Sequence, residues 1–333
     1  MTFATAPMTA EHIPESAALL DRWYTRSRRP RGYPAPENPY GIEELLVKLL
    51  AAPGAQAVVA RGGRGRLGGY LVVAPDQPGG DERPDEHRDP RSALVAHGGH
   101  ALQPGREQEA LRALYAAVAE RFVADGRLVH HVDLPADDTV ASAWFRLGFG
   151  LERMRGLLPV RASGRQPRGV DGLSIRRASG ADLGPIGRMA VESAEHRRHA
   201  AVFQPQSPEA LDRLRTRYAD ALTASDSAAW LAVRRGEEAG MVVLTPAQPG
   251  PFTPQSAVEL AEAYVEPDAR GEGVSRVLLA TALAWAYDRG YRHMAANWPT
   301  ASPLAAGHWP AFGFTPVAYR LCRVIDSRMA PGG

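Results

Sequence analysis

The sequence predicts an α/β (α+β) protein built from two tandem copies of one domain. Each copy is a mixed β-sheet flanked by helices. Landmarks recur at a nearly constant offset: Gly126 and Gly290 stand 164 positions apart, and Phe149 and Phe314 stand 165 apart. An offset that holds over two landmarks indicates an internal duplication. The length of 333 residues agrees, since it is long for one domain and ordinary for two.

Hydrophobic periodicity and glycine stops predict the individual elements. The first half has predicted helices at 13–26, 41–52 and 111–125, and predicted strands at 57–60, 70–73 and 127–134. The second half repeats this order, with helices at 181–196, 208–222 and 274–289 and strands at 230–233, 241–244 and 291–297.

The domain boundaries follow from the repeat and from one polar stretch. Residues 161–169 lack an apolar pattern, which is typical of a linker. We therefore predict a first domain at 1–160, a linker at 161–172, a second domain at 173–327 and a tail at 328–333.

Composition excludes several classes of function. A formal net charge of +2 argues against a nucleic-acid partner and against a membrane-surface partner. The single cysteine, Cys322, excludes an internal disulfide and a multi-cysteine zinc site, and its alternating strand pattern predicts a buried, inert thiol. No secretory leader and no apolar run of about 18 residues is visible. We expect a cytoplasmic protein.

The stretch 264–275 carries the strongest functional signal. An apolar strand ends at Val265, and the loop Arg270-Gly271-Glu272-Gly273-Val274-Ser275 then opens a helix. The first N–H groups of a helix have no partner inside it, and the macrodipole adds positive charge there. Glycines in the loop clear side chains away, so a phosphate group can bind these amides directly.

These residues resemble the GNAT superfamily of acyl-CoA-dependent N-acyltransferases, in which this loop binds the pyrophosphate of coenzyme A. Ser275 departs from the family's usual Gly or Ala. The resemblance implies an acyl-CoA cosubstrate, most simply acetyl-CoA, with no metal. The implied cofactor-binding residues are Ala263, Tyr264, Val265, Arg270, Gly271, Glu272, Gly273, Val274, Ser275, Ser302 and Trp309.

The second landmark of the family shows two departures. Ser302 stands where Asn is usual, and Trp309 stands where a Tyr commonly protonates the leaving thiolate, ahead of Gly313-Phe314. An indole N–H cannot give up a proton at neutral pH, so acid catalysis by Trp309 is not expected. A thiol's pKa is about 8.5, so the thiolate can leave without that help.

The first half lacks the loop. In the repeat register, Glu107 and Glu109 replace Gly271 and Gly273, which brings side-chain bulk and negative charge to the phosphate position. The resemblance therefore implies a degenerate first domain and one cofactor site. A register shift around Pro104-Gly105 is the alternative.

Attack by an amine on a thioester requires a base. Glu259 matches the position of the general-base glutamate in some GNAT members, and a regular strand places it in a row with Ala261, Ala263 and Val265. The alternative is an exposed strand glutamate. Glu262 is the second candidate, because a β-bulge would swap the two faces of the strand.

The resemblance places the acceptor wall on the helix around 189–203. Glu192, His196 and His199 share a helical face there and are candidates for substrate contact, although a solvated face or a metal cluster are alternatives. Two histidine pairs, at 97 and 100 and at 130 and 131, are explained by glycine turns and strand positions, so no metal site is predicted.

We therefore expect an N-acyltransferase that moves an acetyl group to a primary amine of a small molecule, by direct attack in a ternary complex. The rival interpretation is a non-catalytic acyl-CoA-binding or interaction protein with the same fold. A weaker one is different acyl chemistry, such as O-acylation. A monomer and a homodimer both remain open.

Overall fold

The structure is a computed structural model that describes residues 3–28, 41–76, 89, 91–162, 170–199, 201–204 and 208–330. Most of the predicted linker, at 163–169, lies outside the described residues. The chain packs as two compact units. Unit 1 consists of Met1–Met154, Gly250–Phe252 and Pro316–Gly333, and unit 2 consists of Arg155–Pro249 and Thr253–Thr315.

The described residues of unit 1 form a mixed sheet with four α-helices. The helices are α1 (Ile13–Arg28), α2 (Ile42–Leu50), α3 (Glu107–Ala124) and α4 (Asp138–Phe145). The strands are β1 (Ala4–Pro7), β2 (Gln56–Arg61), β3 (Leu67–Pro75), β4 (Ser92–Val95), β5 (His100–Leu102), β6 (Val129–Pro135), the first part of β7 (Gly150–Pro159) and nearly all of β13 (Thr315–Val324).

The sheet of unit 1 runs in the order β1-β2-β3-β4-β6-β13, and β5 pairs with β3. Strands β1 to β4 are antiparallel neighbours, β4 and β6 are parallel, and β13 returns antiparallel to β6. A parallel pair needs a crossover, which α3 supplies. One core fully buries Leu20 of α1, Leu111 of α3, Trp144 of α4 and Leu71 of β3. These three helices therefore bury apolar side chains against this sheet.

Unit 2 repeats that pattern. Its helices are α5 (Leu183–His199), α6 (Pro208–Thr223), α7 (Val274–Asp288) and α8 (His308–Ala311). Its strands are the second part of β7, β8 (Leu173–Arg177), β9 (Ala228–Arg234), β10 (Glu237–Pro246), β11 (Ala257–Val265) and β12 (His293–Pro299).

The order β8-β9-β10-β11-β12 in unit 2 is antiparallel up to β11 and parallel between β11 and β12, with α7 as the crossover. Met189 of α5, Tyr218 of α6 and Met241 of β10 are buried together, so α5 and α6 cover one face of this sheet. The predicted α/β fold with two tandem copies is confirmed. Among the described residues, no helix combines the length and the apolarity that a bilayer-spanning helix needs.

The predicted domain boundaries divide the chain by motif, whereas packing places the last strand, β13, in unit 1. The boundaries themselves stay a prediction. The predicted helices and strands differ from the observed ones by a few residues at their ends, where sequence signals are weakest.

Gly156 allows close packing in unit 2. A Cβ at this position would lie 2.5 Å from Cη2 of Trp298, a side chain that is 1% exposed. We expect Gly156→Ala to lower the free energy of unfolding by about 1–3 kcal/mol, because the added methyl group would overpack the core. Urea denaturation measures this. The control is Gly150→Ala in the same strand, where a Cβ meets open space; equal losses in both variants would exclude crowding as the cause.

Candidate functional site

The strand, loop and helix expected from the motif are present in unit 2. β11 ends at Val265, a 3₁₀ turn occupies Pro267–Ala269, and α7 begins at Val274. Gly271 and Gly273 have φ angles of +80° and +92°, a backbone region that disfavours residues with a Cβ. A Cβ at Gly271 would meet open space, so the backbone angle and not crowding favours glycine there.

The loop presents a row of backbone amides at the start of α7. No side chain caps the helix at Gly273, and the amides of Gly271 through Ser275 donate to no other described residue. Arg276 N–H makes the first bond of the helix, to the carbonyl oxygen of Gly273 at 3.0 Å. Unpartnered amides at a helix N-terminus are a ready anion-binding site. The residues present therefore fit a phosphate group.

Two arginines set the charge and position of the loop. Arg234, at the end of β9, forms an ion pair with Glu272, so the carboxylate inside the motif has its charge offset. Arg270 Nε donates to the carbonyl oxygen of Val265 at 3.0 Å, and its guanidinium lies 5.6 Å from the ring centre of Tyr264. The loop is thereby tied to the end of β11.

β11 and β12 are no longer paired along the part of β11 that leads into the loop. Their parallel ladder spans 257–259 of β11 and 293–295 of β12, whereas β11 continues to Val265 and β12 to Pro299. Residues 263–265 keep a ladder with β10. An unpaired strand edge offers backbone donors and acceptors to an extended ligand. This edge is where the resemblance places the pantetheine arm of coenzyme A.

A β-bulge changes the face of the candidate bases. Val243 of β10 pairs with Glu262, but the next residue, Leu244, pairs with Leu260, so β11 has one extra residue there. The predicted row from Glu259 through alternate residues to Val265 is therefore wrong. The bulge resets the alternation and places Glu259, Glu262 and Tyr264 on one face.

Glu259 is an ion-paired carboxylate. Arg155 donates from Nη1 to Oε1 at 3.2 Å and from Nη2 to Oε2 at 2.8 Å. Asn297 Nδ2 also donates to Oε1 at 3.1 Å, and Thr253 Oγ1 accepts from Arg155 Nε at 2.8 Å. Glu259 is 9% exposed, so the alternative of an exposed strand glutamate does not hold. Direct proton uptake would compete with these donors.

Glu262 lies beneath α5 and α6. Ser193 Oγ donates to Oε1 and Tyr218 OH donates to Oε2, each at 3.1 Å, while Arg197 Nη1 lies 3.7 Å from Oε1. Burial, with the charge of Glu262, raises the pKa of Tyr218 far above its usual value. Tyr218 therefore stays a neutral donor, and Glu262 is held as a hydrogen-bonded carboxylate.

The three substrate candidates on α5 separate into two groups. Burial, with the charges of Glu266 and Glu192, raises the pKa of Tyr264 to about 12, and Glu192 accepts from Arg188 at 3.0 Å. His196 is half-buried, and burial, together with the charges of Arg270 and Arg197, lowers its pKa, which favours a neutral imidazole. Glu192 and His196 thus lie beside β11 and the loop.

His199 points elsewhere. Its side chain is 77% exposed, and Nε2 lies 3.8 Å from the carboxylate of Glu195. The structure therefore does not bring all three α5 candidates together. Their assignment to the acceptor stays a prediction.

Ser302 and Trp309 have packing roles in the second landmark. Ser302 is buried, and its Oγ accepts the amide of Ala305 at 3.3 Å, which caps the turn leading to α8. Trp309 packs edge-on against Phe314 with ring centres 5.6 Å apart. The neighbouring His308 is half-buried, and burial with the charge of Arg276 lowers its pKa.

The corresponding place in unit 1 has different geometry. Only 103–106 separate β5 from α3, compared with 266–273 between β11 and α7. Glu107 and Glu109 occupy the first turn of α3, where carboxylates stabilise the positive end of the helix dipole. Their negative charge would repel a phosphate at this end of the helix. The short connection contains one glycine, Gly105, with a φ of +87°, and the expectation of a single cofactor site stays a prediction.

Sequence reasoning missed the partners of both glutamates. Arg155 lies 104 positions from Glu259, and Tyr218 lies 44 positions from Glu262, so no local spacing points to either pair. Asn297 carried a weak signal, since it is a polar residue that directly follows the apolar run Met294-Ala295-Ala296.

Comparison with protein families matches residues 189–314 to the Acetyltransferase (GNAT) family. The matched segment contains the loop, both candidate bases and the second landmark. No curated protein matches the chain.

Solved structures share the fold at low identity. A GCN5-related N-acetyltransferase from Sphaerobacter thermophilus has a TM-score of 0.57 at 15% identity, over 99% of this chain and 97% of that one. A GCN5-related glucosamine N-acetyltransferase region of a fungal multi-domain GH3 β-N-acetylglucosaminidase has a TM-score of 0.52 at 15% identity, over 96% of this chain and 38% of that one.

A tandem GNAT protein from the clavulanic acid biosynthesis pathway matches at a TM-score of 0.46 and 16% identity, over 99% of this chain and 100% of that one. Identities of this size speak for the fold and leave the substrate open. Residues 189–314 belong to the GNAT acetyltransferase family, and the chain as a whole has a tandem GNAT-like α/β fold.

Proposed function

We propose that unit 2 is an acyl-CoA-dependent N-acyltransferase, which transfers an acetyl group from acetyl-CoA to a primary amine of a small molecule. The observation that carries the proposal is the row of unpartnered amides from Gly271 to Ser275, next to a strand edge that β12 leaves open. The ion pair between Arg234 and Glu272 supports it, because it offsets the charge that would repel a pyrophosphate.

The proposed reaction is direct attack in a ternary complex. The amine nitrogen forms a bond to the thioester carbon, the carbon–sulfur bond breaks, and the thiolate of coenzyme A leaves. Backbone donors of β11 would stabilise the charge that develops on the carbonyl oxygen. The attacking amine must lose a proton, because a protonated amine has no lone pair.

Glu259 is the first candidate to receive this proton and Glu262 the second. Arg155 and Asn297 already donate to Glu259, which favours transfer through a water molecule over direct contact. Both carboxylates face the α5 side of the sheet, where Glu192 and His196 lie. The carboxylate oxygens on this face can accept hydrogen bonds from the N–H groups of an amine acceptor.

The leaving thiolate needs no acid from Trp309. The indole N–H donates hydrogen bonds but holds its proton at neutral pH. A thiolate whose conjugate acid has a pKa of about 8.5 leaves at a useful rate and is protonated afterwards by solvent.

A second candidate function is a non-catalytic acyl-CoA-binding protein. Two observations favour it. Glu259 already accepts two hydrogen bonds from Arg155, and Trp309 stands where the family commonly has a Tyr as the general acid. Binding needs the loop and the open edge of β11, whereas turnover also needs a free proton acceptor.

Turnover separates the two functions. The full chain is incubated with acetyl-CoA and a panel of primary amines, amino acids and polyamines, and acetylated amine is measured by mass spectrometry. The proposal predicts acetylated product from at least one amine, in proportion to the free CoA released. Acetyl-CoA that binds without yielding product with any amine would support the non-catalytic function instead.

Three further expectations belong to this proposal. They are a small-molecule partner in place of nucleic acid or membrane, a cytoplasmic location, and a monomeric or homodimeric state. The formal net charge of +2 supports the first of them.

A further inference from the structure

Three metal-ligating side chains meet on neighbouring strands of unit 1, away from the loop. Cys322 of β13 is the direct register partner of His131 of β6, and Glu152 comes from β7, the strand on the other side of β13. A ring nitrogen of His131, the Cys322 sulfur and a Glu152 oxygen all lie within 4.8 Å of one another.

The three side chains of the cluster are mostly buried, and each keeps some exposure to solvent. The side chain of His131 is 10% exposed and that of Glu152 is 35% exposed, while Cys322 is half-buried. The expectation of a buried thiol is therefore wrong, whereas its inertness stays a prediction. The two facing atoms, His131 Nδ1 and Glu152 Oε2, are themselves buried.

The spacing fits a tetrahedral ion. Bond lengths of about 2.0–2.3 Å to nitrogen, oxygen and sulfur put the ligand atoms of a tetrahedral zinc site about 3.3–3.6 Å apart. His131 Nδ1 and Glu152 Oε2 are 3.4 Å apart, which meets this requirement. The atoms lie within 4.8 Å of one another, so the sulfur needs an adjustment of about 1.5 Å at most, which side-chain rotation can supply.

The local charge also favours a cation. Glu152 brings a carboxylate to the cluster, and Arg153 Nε lies 4.0 Å from its Oε1. The nearby Arg320 is paired with Asp133 through bonds of 2.7 and 2.8 Å, so its charge is offset. The carboxylate of Glu152 is the negative charge in the cluster that favours a bound cation.

We propose that His131, Glu152 and Cys322 form a binding site for a divalent transition-metal ion of the zinc type, with a fourth position open to water. A thiolate and a carboxylate together neutralise a doubly charged ion, and thiolate with imidazole is the donor combination that zinc prefers. The ion would tie β7, β13 and β6 together. It has no part in the acyl transfer proposed for unit 2.

Cobalt substitution tests the site on the full chain. Cys322 is the only cysteine, so a thiolate-to-cobalt charge-transfer band in the near ultraviolet reports this residue alone. We expect about one Co²⁺ per chain with this band, and its displacement by Zn²⁺. Cys322→Ser should remove the band, and His131→Ala should weaken Zn²⁺ binding by more than about tenfold, since even outer-shell changes cost that much.

His199→Ala is the matched control, because this histidine is exposed and lies outside the cluster; it should retain the band and the Zn²⁺ affinity. A second measurement needs no variant. Bound Zn²⁺ should slow the reaction of Cys322 with a disulfide thiol reagent at least about tenfold, and a chelator should restore it. Equal thiol reactivity with and without Zn²⁺, or no charge-transfer band, overturns the proposal and leaves a metal-free thiol–imidazole pair.

Discussion

Gly273→Glu is expected to weaken acetyl-CoA binding by about a hundredfold or more. The residue has a φ of +92°, which a residue with a Cβ adopts only under strain. The new carboxylate would also stand where the phosphate charge is expected. Loss of two charge-assisted hydrogen bonds costs about 3 kcal/mol or more, and each 1.4 kcal/mol is a factor of ten. Isothermal titration calorimetry with acetyl-CoA measures the change.

Gly290→Glu is the matched control for this variant. Gly290 lies just beyond the other end of α7, has a φ of +84° and faces open space. It therefore carries the same backbone strain and the same added charge, about 25 Å from the loop by helix geometry. The control should bind acetyl-CoA like the wild type. Equal loss in both variants would assign the effect to strain in α7 and not to the phosphate site.

Glu259→Gln is expected to reduce kcat by about 10²–10⁴, the usual contribution of a general base. The amide oxygen of glutamine can still accept a hydrogen bond from Arg155, which keeps the packing, but glutamine cannot take the amine proton. Acetyl-CoA affinity should change little, because the amides of the loop are untouched. Steady-state kinetics with an accepted amine, alongside calorimetry on the same variant, separates the two quantities.

Glu262→Gln is the companion measurement, since this carboxylate shares the face of Glu259. A larger loss of kcat in Glu262→Gln than in Glu259→Gln would move the role of base to Glu262. Wild-type turnover in both variants would contradict a carboxylate base on β11 altogether.

The repeat and the loop could be read from the sequence because their signals are local. Gly126 and Gly290 stop equivalent helices, and the glycines of the loop stand beside a strand and a helix with clear periodicity. Local propensity and packing agree in these segments, so the sequence pattern was enough.

The face of the candidate bases could not be read in this way. The alternation from Glu259 onward is that of a regular strand, and only the pairing of Val243 and Leu244 with β11 reveals the extra residue. The ion pair between Arg155 and Glu259 joins positions 104 residues apart. Such contacts depend on topology, which local spacing does not contain.

The cluster in unit 1 could not be predicted from the sequence for the same reason. His131, Glu152 and Cys322 come from three strands far apart in the chain, and β13 reaches β6 only through the packing of unit 1. A sequence search for metal sites looks for short ligand spacings. One cysteine among distant ligands gives no such pattern.

The central claim is that the chain binds one acyl-CoA, at the loop of unit 2. Calorimetric titration of the full chain with acetyl-CoA tests it most directly, because the stoichiometry is read from the inflection of the binding curve. We predict one acetyl-CoA per chain in the wild type and none in Gly273→Glu at the same concentrations. Two acetyl-CoA per chain in the wild type would contradict the account. So would undiminished binding of acetyl-CoA to Gly273→Glu.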